Sequence, residues 1–159
     1  MGHQEEDNVR NATEGFYKAL DDLLLGKGQQ AMSDAWVHAD YVTTVHPLGH
    51  WARGWKEVWA TWQEIGAVWS FYKGHKDRTD RSSAIHDLKV SVLGDSAFTI
   101  SVFRSKMFLP EGKIIGLNVN CTNVLQKTPE GWKIVHHHPD QAPPDFVAEI
   151  QKMVEAGQK

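Results

Sequence analysis

Near residue 70 the hydrophobic pattern changes its period, and this change limits the folds open to the chain more than any other feature. From Gly54 to Trp69 the apolar positions Trp55, Val58, Trp59, Trp62, Ile65 and Trp69 fall three and four residues apart, the spacing of one helix face. From "SFYKGHKD" onward the apolar residues alternate instead. "AIHDLKVSVL", "SAFTISVFRSKMFL", "KIIGLNVNCTNVLQK" and "GWKIVHHHP" are strand candidates, separated by the turn signals "LGD", "PEGK" and "TPEG". Upstream, Val9, Ala12, Phe16, Leu20 and Leu23 predict an amphipathic helix over 8–25, stopped by Gly26 and Gly28. "QQAMSDAW" predicts a short second helix, and "DYVTTVHPLG" a short strand ended by Pro47. Helices followed by a run of strands give an α+β class: one domain, about three helices packed on one face of a curved antiparallel sheet.

The chain's 159 residues suit a single compact domain. A net charge of -3, with basic residues scattered among acids, provides no field for phosphates and argues against a nucleic-acid partner. No stretch approaches the roughly 20 apolar residues that cross a bilayer, so no membrane partner is expected. The single cysteine, Cys121, excludes an internal disulfide, and "MGHQEEDNVR" lacks the apolar core of a secretory signal. The expected location is therefore the cytoplasm. Residues 1–7 are expected to be a flexible N-terminus, 8–145 the domain, and 146–159, within "PPDFVAEIQKMVEAG", a C-terminal helix and tail.

Polar residues in register with apolar ones on a strand mark candidate site positions, because alternate side chains share a face. Phe98, Ile100 and Val102 share one with Arg104; Leu117, Val119 and Cys121 with Asn123; Trp132 and Ile134 with His136 and His138; Val42 and Thr44 with His46. By the same count His137 lies on the opposite face. Any one of these is explained more simply by a strand end emerging into water. Four strands each carrying a hydrogen-bonding residue at the far end of an apolar face point to a cavity for a small molecule. The tryptophan stripe reads as core packing, with Trp55 and Trp59 as candidates for a pocket wall.

Metal binding is the rival reading of the histidine run. Adjacent strand residues point oppositely, so only His136 and His138 could share an ion, and zinc would need a third ligand such as His46. No HExxH or facial-triad spacing is present, and a metal-free, cofactor-free pocket is the better expectation.

The order of elements, with "VHPLG", "RGW", "HDLKVSVLGDSAFTISVFRS", "NVNCTNVLQKTPEGWKIVHHH" and "APP", resembles the nuclear transport factor 2-like superfamily over residues 8–145. Its SnoaL-like branch and the association domain of calcium/calmodulin-dependent protein kinase II are the most similar. The specific part is Thr122, Val124, Glu130, Gly131, Trp132, Val135, His136, His138, Ala142 and Pro143, which follow the family's pattern T-x-V, turn, D-G-x-W-x-x-V-H-x-H, small residue, Ala-Pro. The resemblance implies a cone-shaped fold with an internal pocket, on a scaffold that serves isomerases, cyclases, dehydratases, carriers and assembly domains alike.

Similarity to the ketosteroid isomerase branch implies Tyr17 as an oxyanion donor, with His46 where that enzyme has its aspartate base and Asn123 where it has a protonated acid. His46 has the chemistry of a base near neutrality, and an asparagine amide can donate to an oxyanion. Similarity to the association domain places one arginine of its carboxylate clamp at Arg104 and the other at Asn123, and makes His136 and His138 pocket residues. Two functions stay open. One is proton transfer on a small carbonyl- or carboxylate-bearing compound; the other is non-catalytic ligand binding or self-assembly. In either case a homodimer through the outer sheet face is expected, because Ala97, Phe103, Met107, Val124 and Val135 would otherwise form an exposed apolar patch.

Overall fold

The computed structural model describes residues 2–70, 82–108 and 112–157. Its elements are α1 (Gly2–Leu24), α2 (Gln29–Asp34), β1 (Thr43–Val45), β2 (Trp51–Arg53), α3 (Trp55–Ser70), β3 (Ser82–Leu93), β4 (Ser96–Phe108), β5 (Ile114–Thr128), β6 (Gly131–Pro139) and α4 (Pro144–Gly157). The strand expected at "SFYKGHKD" lies, from residue 71 onward, outside the described residues. The chain is α+β: one curved, open six-stranded sheet in the order β2-β1-β6-β5-β4-β3, with four helices. Neighbouring strands are antiparallel except β1 and β6, which run parallel.

Helix α1 begins at Gly2, six residues before the helix expected over 8–25. Its first turns are tied to the sheet: the Glu5 carboxylate accepts from Lys127 Nζ and from Trp132 Nε1, both at 2.8 Å. Residues 1–7, expected to be flexible, are thus helical from Gly2 on. The inward stripe of α1, Val9, Thr13, Phe16, Tyr17 and Leu23, is buried, as helical periodicity requires. Helix α3 packs against it through Trp62, whose ring lies 5.8 Å from that of Phe16, and a Cβ on Gly66 would stand 3.3 Å from Leu23 Cδ1. Gly28 makes the turn into α2 at φ +75°, with Asp22 Cβ only 2.6 Å from where its own Cβ would be. Both the left-handed backbone and the space require glycine there.

The sheet turns its inner face to α1 and α3. Strand β5 alternates as its sequence does: Ile115, Leu117, Val119, Cys121, Asn123 and Leu125 are buried between exposed neighbours. Strand β4 is the reverse of the expectation. Ala97, Thr99, Ser101 and Phe103 face inward, opposite Leu125, Asn123, Cys121 and Val119, whereas Phe98, Ile100 and Arg104 are exposed on the outer face. The inner positions 97, 99 and 101 are small where the sheet receives α1, whose Tyr17 stacks on Phe103 at 6.0 Å and bonds to Asn123. The bulky apolar set is left outside, so hydrophobicity points to the wrong face.

A second reversal occurs in β6. Leu125 pairs with Ile134 and Val124 with His136, so Val135 is an extra residue, a β-bulge. Beyond it the alternation restarts in opposite phase. His137 is buried with Ile134 and Pro139, while His136 is half-buried and His138 exposed.

Candidate functional site

Between α1, α3 and the inner sheet face lies a mainly apolar cavity of about 120 Å³. Helix α1 contributes Tyr17, the β1–β2 turn His46, α3 Thr61 and Trp62, β5 Cys121 and β6 His137. Helix α4, where a C-terminal helix and tail were expected, closes one side with Phe146. Of the described lining residues only Glu64 is acidic and none is Lys or Arg, so the cavity holds no fixed positive charge.

Two histidines share Trp62 as a neighbour, at ring-centroid distances of 4.7 Å for His46 and 5.7 Å for His137. The His46 backbone N–H donates to the carbonyl of His50 at 2.8 Å, which fixes the turn that presents its ring. His46 Nε2 lies 2.7 Å from Thr61 Oγ1, and the Thr61 hydroxyl already donates its proton to the Val58 carbonyl at 2.7 Å. The Thr61 oxygen must therefore accept, which makes His46 the Nε2–H tautomer with Nδ1 as its lone-pair nitrogen. Burial, with His50 nearby, pushes the His46 pKa down to about 4, so the ring is neutral at physiological pH.

His137 is also fixed. Its Nδ1 lies 2.6 Å from Asn123 Oδ1, an acceptor, so Nδ1 carries the proton and Nε2 the lone pair. The other end of the Asn123 amide donates to Tyr17 Oη at 3.0 Å and towards Thr99 Oγ1 at 3.4 Å. Burial holds the His137 ring well below its usual pKa, and the neighbouring His46, His136 and His138 push it the same way. Burial also raises the Tyr17 phenol above its usual range and the Cys121 thiol to about 11, so both keep their protons. Besides the Glu64 carboxylate and the His50, Thr61, Ser105 and Cys121 side chains that also line it, the cavity presents two imidazole lone pairs and one phenol.

Tyr17, His46 and Cys121 thus line one cavity. Asn123 sits behind it, fully buried, with both ends of its amide engaged by Tyr17, Thr99 and His137. Five expected ligand contacts are elsewhere. Arg104 is exposed on the outer face, because β4 is turned over, so the half-clamp for a carboxylate is not in the cavity. His136 and His138 are outside because of the bulge; His136 Nδ1 is paired with Thr43 Oγ1 at 2.6 Å, and the two rings stand 5.6 Å apart. Trp55 and Trp59 stack on each other at 5.4 Å, and Trp55 lies flat on His38 at 4.1 Å; neither is in the cavity wall, where Trp62 takes their place. The residue missed was His137. No glycine or proline marks the bulge; the hint available in the sequence was only that three consecutive histidines must put at least one on each face. Among the described residues no three His, Cys, Asp or Glu side chains converge as metal ligands. No helix among them is long and apolar enough to span a membrane.

A curved sheet closed by helices over an apolar cavity with a few polar groups defines a small-molecule-pocket fold of the nuclear transport factor 2-like type. The chain belongs to the SnoaL-like domain family, which it matches over residues 9–139. Its structure is similar to that of a candidate dehydratase of the NTF2-like family from Streptomyces avermitilis, at 25% identity and a TM-score of 0.71, covering 89% of this chain and 98% of that one. It is also similar to the calcium/calmodulin-dependent protein kinase II hub of S. rosetta, at 19% identity and a TM-score of 0.61, covering 87% and 96% of the two chains. In sequence it is 24% identical over 116 residues to the F-box protein SKIP8 of Arabidopsis thaliana, covering 73% of this chain and 43% of that protein, so the chain spans less than half of that relative's length.

Proposed function

We propose that the cavity binds a small, neutral, largely apolar carbonyl compound and catalyses cofactor-independent proton transfer on it, as in isomerisation, cyclisation or dehydration. The observation that carries this reading is the buried, neutral His46 in the same apolar cavity as a protonated Tyr17. His46 Nδ1 has the lone pair of a general base, and the Tyr17 hydroxyl can donate to the oxygen of a developing enolate. A base with so low a pKa works only if the negative charge formed on the substrate stands close to the new imidazolium. In a dry cavity that pair attracts strongly, and the two charges appear together. Arg104 lies outside, which favours a carbonyl over a carboxylate ligand. Asn123 acts by holding Tyr17 and His137 in place rather than by touching substrate.

The test is His46→Ala assayed on a panel of small enolisable ketones and aldehydes. Turnover by the wild type and its loss in a variant that still melts cooperatively support the assignment; an unchanged rate removes it. Self-association is the second reading, favoured by the outer face: Phe98 and Ile100 are 40% and 48% exposed, beside Val102 and Val124. A homodimer through this face is compatible with either catalysis or simple ligand binding.

A further inference from the structure

Two hydrogen bonds, one to Thr61 in the cavity wall and one to Asn123 behind it, decide what the cavity can accept. Thr61 spends its own proton on the Val58 carbonyl and so takes that of His46 Nε2; Asn123 presents its carbonyl oxygen to His137 and so takes that of Nδ1. Both rings are therefore locked in tautomers whose remaining nitrogen is an acceptor. His137 Nδ1 is bonded to a residue behind the wall, and the ring itself is part of the wall, so Nε2 is the end turned towards the ligand. A carbonyl or ether oxygen placed there would set lone pair against lone pair, and a carboxylate would add a buried charge with no cation to meet it.

We infer that the ligand of this cavity is a hydroxyl-bearing neutral molecule whose O–H donates to His137 Nε2, and that Asn123 is the positioning residue that makes His137 an acceptor. The inference rests on the proposed function for the existence of a ligand and narrows that ligand to hydroxycarbonyl compounds. Within such a compound the carbonyl goes to Tyr17, the acidic C–H to His46 and the hydroxyl to His137. A cavity of about 120 Å³ suits a compact molecule of this kind. Asn123 is specificity-determining at one remove: exchange of its amide ends would make His137 a donor and invert the preference.

The experiment uses three probes of similar size, phenol, anisole and benzoate, titrated against the whole protein by calorimetry at neutral pH. Phenol should bind about tenfold more tightly than anisole, the worth of one neutral hydrogen bond, and benzoate more weakly still. In His137→Phe the phenol advantage should vanish. In Asn123→Leu it should shrink. Because either substitution alters the packing around it, the tautomers are also read in the wild type by long-range proton–nitrogen correlation of its imidazoles. His137 should be protonated at Nδ1 and His46 at Nε2. Equal binding of phenol and anisole, a preference for benzoate, no phenol binding at millimolar concentration, or a proton on His137 Nε2 would each overturn the inference. If the phenol preference holds but no carbonyl compound turns over, the proposed catalysis fails and the ligand class stands.

Discussion

Two neutral histidines sealed in a core should make this protein unusually sensitive to mild acid. In the unfolded chain His46 regains its ordinary pKa of 6.5, whereas the folded value is about 4. Below 6.5 the unfolded state binds a proton that the folded state refuses, so stability falls as pH falls, over the window from 6.5 down to about 4. Between about pH 7.5 and pH 5 this linkage removes about 2 kcal/mol through His46 alone. His137, more deeply buried and shifted in the same direction, adds a loss of the same sign. The carboxylates with lowered values, Glu5 and Glu149, take up protons in the unfolded chain around the ordinary 4.5, so between about pH 7.5 and pH 5 the histidines dominate the loss. Urea unfolding at the two pH values measures the loss. A parallel series on His46→Gln, whose amide can still donate to Thr61, should show a pH effect smaller by about 2 kcal/mol, whatever the variant's own stability. Equal stability of the wild type at both pH values, or an undiminished pH effect in the variant, would refute the claim that these rings are buried uncharged.

The outer face supplies a second test. Ile100→Lys places a charge in the middle of the exposed apolar stripe and should convert a homodimer to a monomer in light scattering without lowering the thermal midpoint; a wild type that is already a stable monomer defeats the dimer. Gly28→Ala should destabilise by about 2 kcal/mol, since it meets both the left-handed backbone and Asp22, whereas Gly94→Ala, at φ +65° with open space around it, should cost about 1 kcal/mol. Chemical denaturation of the pair separates the steric part from the backbone part.

How far the sequence can be read depended on whether hydrophobicity and face agree. In β5 they do: Leu117, Val119, Cys121 and Asn123 alternate with Asn118, Asn120 and Thr122, and the buried set is the apolar one. In β4 they disagree, because the helix-facing positions Ala97, Thr99 and Ser101 are small and the larger residues Phe98, Ile100 and Val102 face out. An apolar outer face was expected, and one exists: Val124 of β5 lies on it as expected, but on β4 it is built from Phe98, Ile100 and Val102 in place of Ala97 and Phe103. Strand β2 has only three residues, too few for a period to show. His46 and Asn123 could be picked out because each lies in register with the apolar set of its strand, and Tyr17 through the resemblance to the ketosteroid isomerase branch. His137 could not, since the bulge that turns it inward is a property of pairing with β5 and leaves no mark on residues 131–139.

The bulge also bears on how errors in this strand would be tolerated. Were Val135 drawn into regular alternation without losing a residue, the positions facing the helices would become 136 and 138 in place of 137. All three are histidine, so such a slip would not introduce a foreign side chain into the interior. It would present two imidazoles where there is now one, and would strip Asn123 of its partner. A chain caught in the wrong pairing would therefore be well filled but miswired. The repeated residue makes this strand forgiving as a piece of packing and exacting as a piece of chemistry.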